Sequence, residues 1–181
     1  LENGIVRMPS AFIKAYEKFV QNGWFSIIGQ NKYGGQNIPL SSVVVVNEIW
    51  QSSNMSFATN NMLTQGAVEL LESHGNEKQK EKYLPNLISG KWSGTMNLTE
   101  PHAGSDLSNI KTKATKNDKG YLIKGTKIYI THGDQDMSEN IIHFVLAKLP
   151  DAPNGVKGIS LFLVPKYFVN NSGKKIKNDI K

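Results

Sequence analysis

The chain has 181 residues, 39% of them hydrophobic, no cysteine and a formal net charge of +6, which suits one domain or two small ones. The missing cysteines exclude disulfides and thiolate metal sites and suit a reducing, cytoplasmic setting, and the longest apolar run, residues 43–46, falls far short of the roughly 20 residues that cross a bilayer. Residues 174–181 hold four lysines and one aspartate, +3 or half of the net charge, and Arg7 is the only arginine; the bidentate fork used for base-specific nucleic-acid readout is nearly absent, leaving a solvated lysine surface with a basic tail.

Helical periodicity opens the chain. From Ser10 onward, Ala11, Phe12, Ala15, Tyr16, Phe19 and Val20 fall on one face of a 3.6-residue period, with Ser10 as the expected N-cap and Gly23 as the stop. The turn-rich "NKYGGQNIP" follows, and Pro39 suits the first turn of a helix over 40–51. A further helix over 56–73 carries Met62, Leu63, Ala67, Leu70 and Leu71 on one side. Gly75 and Asn76 end it, and Asn76 with Gln79 forms a capping-box start for a helix to Ile88.

The pattern changes near Gly90. Short β-type runs cover 92–98, 110–115, 121–123, 127–131, 141–147 and 159–164, and "KNDKG" reads as a hairpin turn with Gly120 at positive φ. A helical block followed by a strand block predicts an α+β protein: a partial N-terminal helical domain over 1–92, then a small antiparallel β-barrel or sandwich domain over 93–169. Residues 170–181 read as a polar basic tail ordered only by something beyond it. With Leu1 in place of an initiator Met and no secretory leader, the expectation is a soluble internal fragment of a longer protein.

Few residues are arranged for chemistry. His74, His102, His132 and His143 lack metal-ligand spacing, and the acids of "GDQDMSEN" lack the glycine and terminal glutamate of a calcium loop. No P-loop or G-x-G-x-x-G is present, and Ser105-Asp106 beside His102 is too local for a catalytic triad. Two strand ends remain. In "MNLTEPHAGSD", Pro101 cannot sit mid-ladder, Gly104 permits positive φ, and Ser105 and Asp106 can bond back to nearby amides. In "KIYITHGD" an aromatic-apolar strand ends in Thr131, His132 and Gly133. Such ends either offer amides to a flat, many-acceptor ring or are two ordinary strand–turn junctions.

"YLPNLISGKWSGTMNLTEPHAGSDLSNIKTKA" followed by "YLIKGTKIYITHG" resembles the acyl-CoA dehydrogenase family, in which the LTEP-x-x-GSD and G-x-K-x-x-I-T motifs form the flavin side of the active site. "GWFSIIGQNKYGGQNIP" and "HGNEKQKEKYLP" are similar to the family's helical N-terminal domain, and "ENIIHFVLAKLPDAPNGVKGISLFLVPK" is most similar to the branch acting on methylthio-propanoyl-CoA. The resemblance spans residues 12–170. It implies an FAD site lined by Met96, Asn97, Leu98 and Thr99 on one segment and Tyr129, Ile130 and Thr131 on the other. Thr131 would bond near flavin N5, and Ser105 would contact the acyl-CoA thioester or pantetheine arm. Tyr129 stands where many relatives carry tryptophan or phenylalanine, and Met96 where tyrosine is common.

The same resemblance implies a flavin-dependent α,β-dehydrogenation of an acyl-CoA in fatty acid metabolism, an electron-transfer flavoprotein as acceptor and a homo-oligomer when full length. The family's C-terminal helical bundle, which supplies the catalytic glutamate, has no counterpart before Lys181. Glu48, Glu69, Glu72 and Glu100 do not match the base motif, so the catalytic residue is unknown and the chain alone is expected to be inactive and to bind FAD weakly or not at all. Acyl-CoA oxidases, nitroalkane-oxidising relatives and a non-catalytic remnant of a split gene share the scaffold; a barrel binding single-stranded nucleic acid would need more exposed aromatics than the strand region offers.

Overall fold

A computed structural model describes residues 5–170 and 173–180. Helix α1 (Ser10–Gln21) begins directly after Pro9, with Phe12 N bonded to Pro9 O at 2.9 Å. Ser10 is therefore its first helical residue and no side chain caps it. Gly23 ends the segment in the left-handed region at φ 71°, where a Cβ would be strained.

Helix α2 (Leu40–His74) is interrupted at Asn54, whose φ of −160° and ψ of 95° are not helical. Its two arms, 40–53 and 55–74, correspond to the two helices read from the sequence. Asn54 Oδ1 accepts from Phe57 N at 3.0 Å, capping the second arm. The arms lie side by side, with Asn47 Nδ2 donating to Gln65 Oε1 at 3.1 Å. Phe19 of α1 closes the group edge-on, its ring 4.7 Å from Trp50 and 5.4 Å from Phe57. Helix α3 (Glu77–Ile88) starts with the predicted capping box: Asn76 and Gln79 exchange side chain–backbone bonds, both 2.9 Å.

The strands are β1 (Trp92–Asn97), β2 (Lys113–Asn117), β3 (Gly120–Lys124), β4 (Asn140–Lys148), β5 (Ile159–Pro165), β6 (Tyr167–Val169) and β7 (Lys175–Lys177). The α+β class holds, but the sheet is mixed rather than antiparallel and does not close into a barrel. β1 runs parallel to β4 from Trp92↔Asn140 to Asn97↔Val145, and β5 flanks β4 antiparallel. β2 meets β4 only at Lys113↔Lys148 and turns back into β3. The physical reason is the connection: residues 98–139 are ample for the crossover a parallel pair needs. β4 is buried over almost its whole length, as parallel strands covered on both faces are.

Two further expectations change. Residues 127–131 form no strand, because Tyr129 takes φ 57° and breaks the alternation. The basic tail is paired: β7 joins β6 through Tyr167↔Lys177 and Val169↔Lys175, while Asn171, Ser172 and Lys181 of that tail, and residues 1–4, lie outside the described residues.

Helices and sheet share one core. Ala67, Val68 and Leu71 of α2 and Leu84, Leu87 and Ile88 of α3 pack with Trp92, Ile142 and Phe144. At the centre α2 and β1 approach so closely that a Cβ on Gly94 would lie 2.3 Å from Ala67 Cβ, and Gly94 N donates to Thr64 Oγ1 at 3.2 Å. No helix among the described residues is long and apolar enough to cross a membrane.

Candidate functional site

The close α2–β1 contact fixes where β1 ends. Met96 packs against the core. Thr95 Oγ1 donates to Asn97 Oδ1 at 2.7 Å, so that carboxamide oxygen is taken up within the sheet. His143 Nδ1, on β4, lies 2.7 Å from the same hydroxyl; with the hydroxyl proton on Asn97, the imidazole N–H is the donor. Burial pushes the His143 pKa down to about 4, with Asp134 pulling it up and Lys166 pushing it down, so the ring is neutral at physiological pH.

Beyond β1 the chain makes a tight turn on itself: Glu100 N bonds to Ala103 O at 2.8 Å and Ala103 N to Glu100 O at 3.1 Å. Pro101 occupies the position that needs no donor. Asp106 then closes the next turn, accepting from Ser108 N at 3.0 Å, Ser108 Oγ at 2.6 Å and Asn109 Nδ2 at 2.7 Å. These bonds, the Ser108 hydroxyl foremost, hold its carboxyl below the usual aspartate value. Ser105 is exposed on the same loop. Gly104 is not in the left-handed region, and a Cβ there would meet only Thr99 Cγ2, at 3.6 Å. Neither backbone strain nor packing within the chain requires glycine at 104.

Glu100 is the hub of the loop. Its carboxylate, 1% exposed, accepts from Lys111 N at 2.7 Å, Thr112 N at 3.1 Å, Thr112 Oγ1 at 2.6 Å and Lys127 Nζ at 2.9 Å. His102 Nε2 stands 3.4 Å away. Burial raises the Glu100 pKa, but the bonds from Thr112, Lys111 and Lys127 outweigh it and hold the value at about 2. Lys127 Nζ also donates to Leu98 O at 2.9 Å, and Ile128 N donates to Thr99 O at 2.9 Å.

The two segments singled out in the sequence therefore meet: Leu98 and Thr99 lie directly against Lys127 and Ile128. From there Tyr129 projects its ring, 89% exposed. Ile130 is half-buried and Thr131 exposed. Gly133 N bonds back to Ile130 O at 3.0 Å, and His132, at φ 50°, brings Nε2 to 3.0 Å from Ser56 O on α2. The arrangement is an open wall. A cleft beside α3, lined by Lys78, Lys82 and Trp92, and another along the first arm of α2, lined by Val44, Asn47 and Gln51, both lie elsewhere.

Residue reasoning missed Glu100 and Lys127 as the fastening of this wall. The signal was two opposite charges beside apolar positions in otherwise β-like runs, "NLTEP" and "TKIYI". The acids of the 133–140 loop are engaged otherwise: Asp134 pairs with Lys166, Asp136 with Arg7 at 3.2 Å and Glu139 with Lys175 at 3.1 Å. Among the described residues no group of three or more His, Cys, Asp or Glu could hold a metal ion.

Comparison with known proteins shows the family. Residues 6–91 match the family "Acyl-CoA dehydrogenase, N-terminal domain" and residues 95–179 match "Acyl-CoA dehydrogenase, middle domain". A 3-methylmercaptopropionyl-CoA dehydrogenase of Ruegeria pomeroyi is 49% identical over 96% of the chain, which spans 30% of that relative's length. The butyryl-CoA dehydrogenase structure from Megasphaera elsdenii superposes with a TM-score of 0.72 at 31% identity, covering 83% of this chain and 39% of that one. An acyl-CoA dehydrogenase complexed with FAD from Bacillus anthracis superposes at 0.71 with 28% identity, covering 87% and 26%. The chain belongs to the acyl-CoA dehydrogenase family, of which it carries the N-terminal and middle domains.

Proposed function

We propose that this chain forms the flavin-facing wall of an FAD-dependent acyl-CoA dehydrogenase. The observation that carries the reading is the direct joining of the two motif segments, Ile128 N to Thr99 O at 2.9 Å, which puts the ends of both on one open surface. The residues fit the cofactor in kind. Met96, Leu98 and Ile130 offer apolar area, Tyr129 an exposed ring, and Thr99 and Thr131 hydroxyls and amides, with Asn97 contributing backbone. Gly104 leaves room for close approach.

Bound FAD would supply the hydride acceptor, N5, for α,β-dehydrogenation of an acyl-CoA thioester. The chain's residues bind and orient. Thr131 places a donor where negative charge grows at the flavin, an interaction stronger in the transition state than before it. Ser105 reaches the thioester or pantetheine arm. The 49% identity to the Ruegeria relative supports a short acyl group of the methylthio-propanoyl kind, and the family resemblance supports an electron-transfer flavoprotein as acceptor, a homo-oligomer and a role in fatty acid metabolism.

The proton acceptor lies outside these residues. Glu100 is committed to four hydrogen bonds, with a pKa of about 2, and a base needs a pKa nearer the working pH. Glu72 accepts from Gln30 N at 2.8 Å. The assignment is tested by titrating the chain with FAD and following flavin fluorescence. Weak, saturable quenching that Gly104→Val abolishes is expected; quenching indifferent to that substitution contradicts it. With excess FAD, a short acyl-CoA and an artificial electron acceptor, no dehydrogenation above background is expected. Turnover that survives repurification would place a base within the chain.

A further inference from the structure

The wall is fastened by side chains where backbone pairing cannot do it. Tyr129 and His132 have positive φ, so no ladder extends past Ile128, and the contact between the segments contains one backbone bond, Ile128 N to Thr99 O. On either side of it stands Lys127 Nζ, bonded at 2.9 Å to Leu98 O and at 2.9 Å to Glu100 Oε1. Two successive residues, 127 and 128, thus hold three successive ones, 98, 99 and 100. Glu100 is tied in turn to Lys111 and Thr112 ahead of β2. Gly125 crosses directly over Thr112, where a Cβ would come within 2.2 Å of Thr112 Oγ1.

We infer that Glu100 and Lys127 are positioning residues that lock the segments 96–99 and 128–131 into register before any cofactor binds. The inference rests on the flavin reading only for which face the wall presents. The pair is buried, the Glu100 side chain 1% and that of Lys127 8% exposed, and its hydrogen bonds are complete with protein partners alone. General stability does not demand charges there, since a packed apolar pair commonly serves as well. What a charged pair adds is direction: the ammonium has several donors and fixes two acceptors at once. A ring that must be met by hydroxyls and amides within a fraction of an ångström needs such a frame in advance, because misplacement by about 1 Å can lower rates roughly a hundredfold.

Amide hydrogen exchange of the FAD-free chain tests this, so that its failure and a failure of the flavin assignment are separate results. In Lys127→Met, exchange at the Ile128 amide should accelerate about tenfold to a hundredfold more than at Ile142 and Phe144 of β4, the range expected for losing charge-assisted bonds in a locally opening unit. Met also leaves Glu100 as a lone buried charge, which destabilises the fold as a whole. The double variant Glu100→Gln with Lys127→Met removes that charge. There the β4 amides should return close to the parent while Ile128 stays fast, and this variant carries the test if the single one does not fold. Equal acceleration at Ile128 and in β4, recovery of both in the double variant, or an unchanged Ile128 would overturn the inference and reduce the pair to a stabilising contact.

Discussion

The α2–β1 contact and the 98–128 contact lie on the same strand and its continuation, yet they are held by opposite means. At the first, backbones meet through Gly94 and Ala67 with no room for an added methyl, and the strand is anchored by shape. At the second, a buried carboxylate with four hydrogen bonds and a lysine shared with Leu98 O replace a missing ladder. The core supplies a rigid origin for β1, and the charged hub sets the direction of the chain beyond Asn97. A site built this way should respond to volume at one end and to pH at the other.

The largest effect should come from volume. Gly94→Val places carbon where Ala67 Cβ would stand 2.3 Å away, so overpacking should lower stability by about 3 kcal/mol, or roughly 6–12 °C in Tm, read by thermal denaturation. A Tm within a degree of the parent would show that the helix can retreat.

Acid should act on the other end. The Glu100 carboxyl is held at about 2 against an ordinary 4.5. The unfolded chain therefore binds a proton that the folded chain does not, and the contribution of Glu100, complete above pH 4.5, is lost as pH falls through about 2. Lys127 Nζ and His102 Nε2 face the carboxylate at 2.9 and 3.4 Å. Denaturation midpoints at stepped pH should show the loss, and Glu100→Gln should flatten it. An identical acid profile in the variant would remove Glu100 as its cause.

A smaller step belongs to His143, lowered from 6.5 to about 4 chiefly by burial, with Asp134 opposing the shift and Lys166 adding to it. Unfolding releases it to take up a proton, so stability falls from pH 6.5 down to about 4, a window that begins above the one for Glu100. His143→Gln should abolish the upper part of the slope and leave the lower.

The smallest effect on stability is the most telling for function. Gly104→Ala adds a methyl that meets only Thr99 Cγ2 at 3.6 Å, so the unliganded chain should change by less than about 0.5 kcal/mol. FAD-dependent quenching should nonetheless weaken. A variant that keeps its flavin response would return Gly104 to an ordinary loop residue.

Much of this was legible in the residues. The periodicity of α1 and α3, the Asn76–Gln79 cap and the Gly120 hairpin are local patterns, and local geometry enforces them. Joining Leu98–Thr99 to Ile128 was legible only through the motif resemblance, since no local rule pairs segments so far apart along the chain. The hidden part was non-local. The parallel pairing of β1 with β4 depends on a crossover, although the continuous apolar run in "NIIHFVLA" was its trace. The irregular course at Tyr129 was hidden because its sequence alternates like a strand while its backbone is turned by what Lys127 and His132 hold on either side. Ser10 and Pro39 misled slightly, since in both helices it is the proline that stands at the cap.

The most direct test is to titrate FAD into the nitrogen-15-labelled chain and map the amide shifts. A flavin-facing wall predicts fast-exchange perturbations concentrated at Leu98, Thr99, Gly104, Ser105, Tyr129, Ile130 and Thr131, with the α3 cleft around Lys78, Lys82 and Trp92 undisturbed. Perturbations centred on that cleft, or spread evenly over the chain, would contradict it.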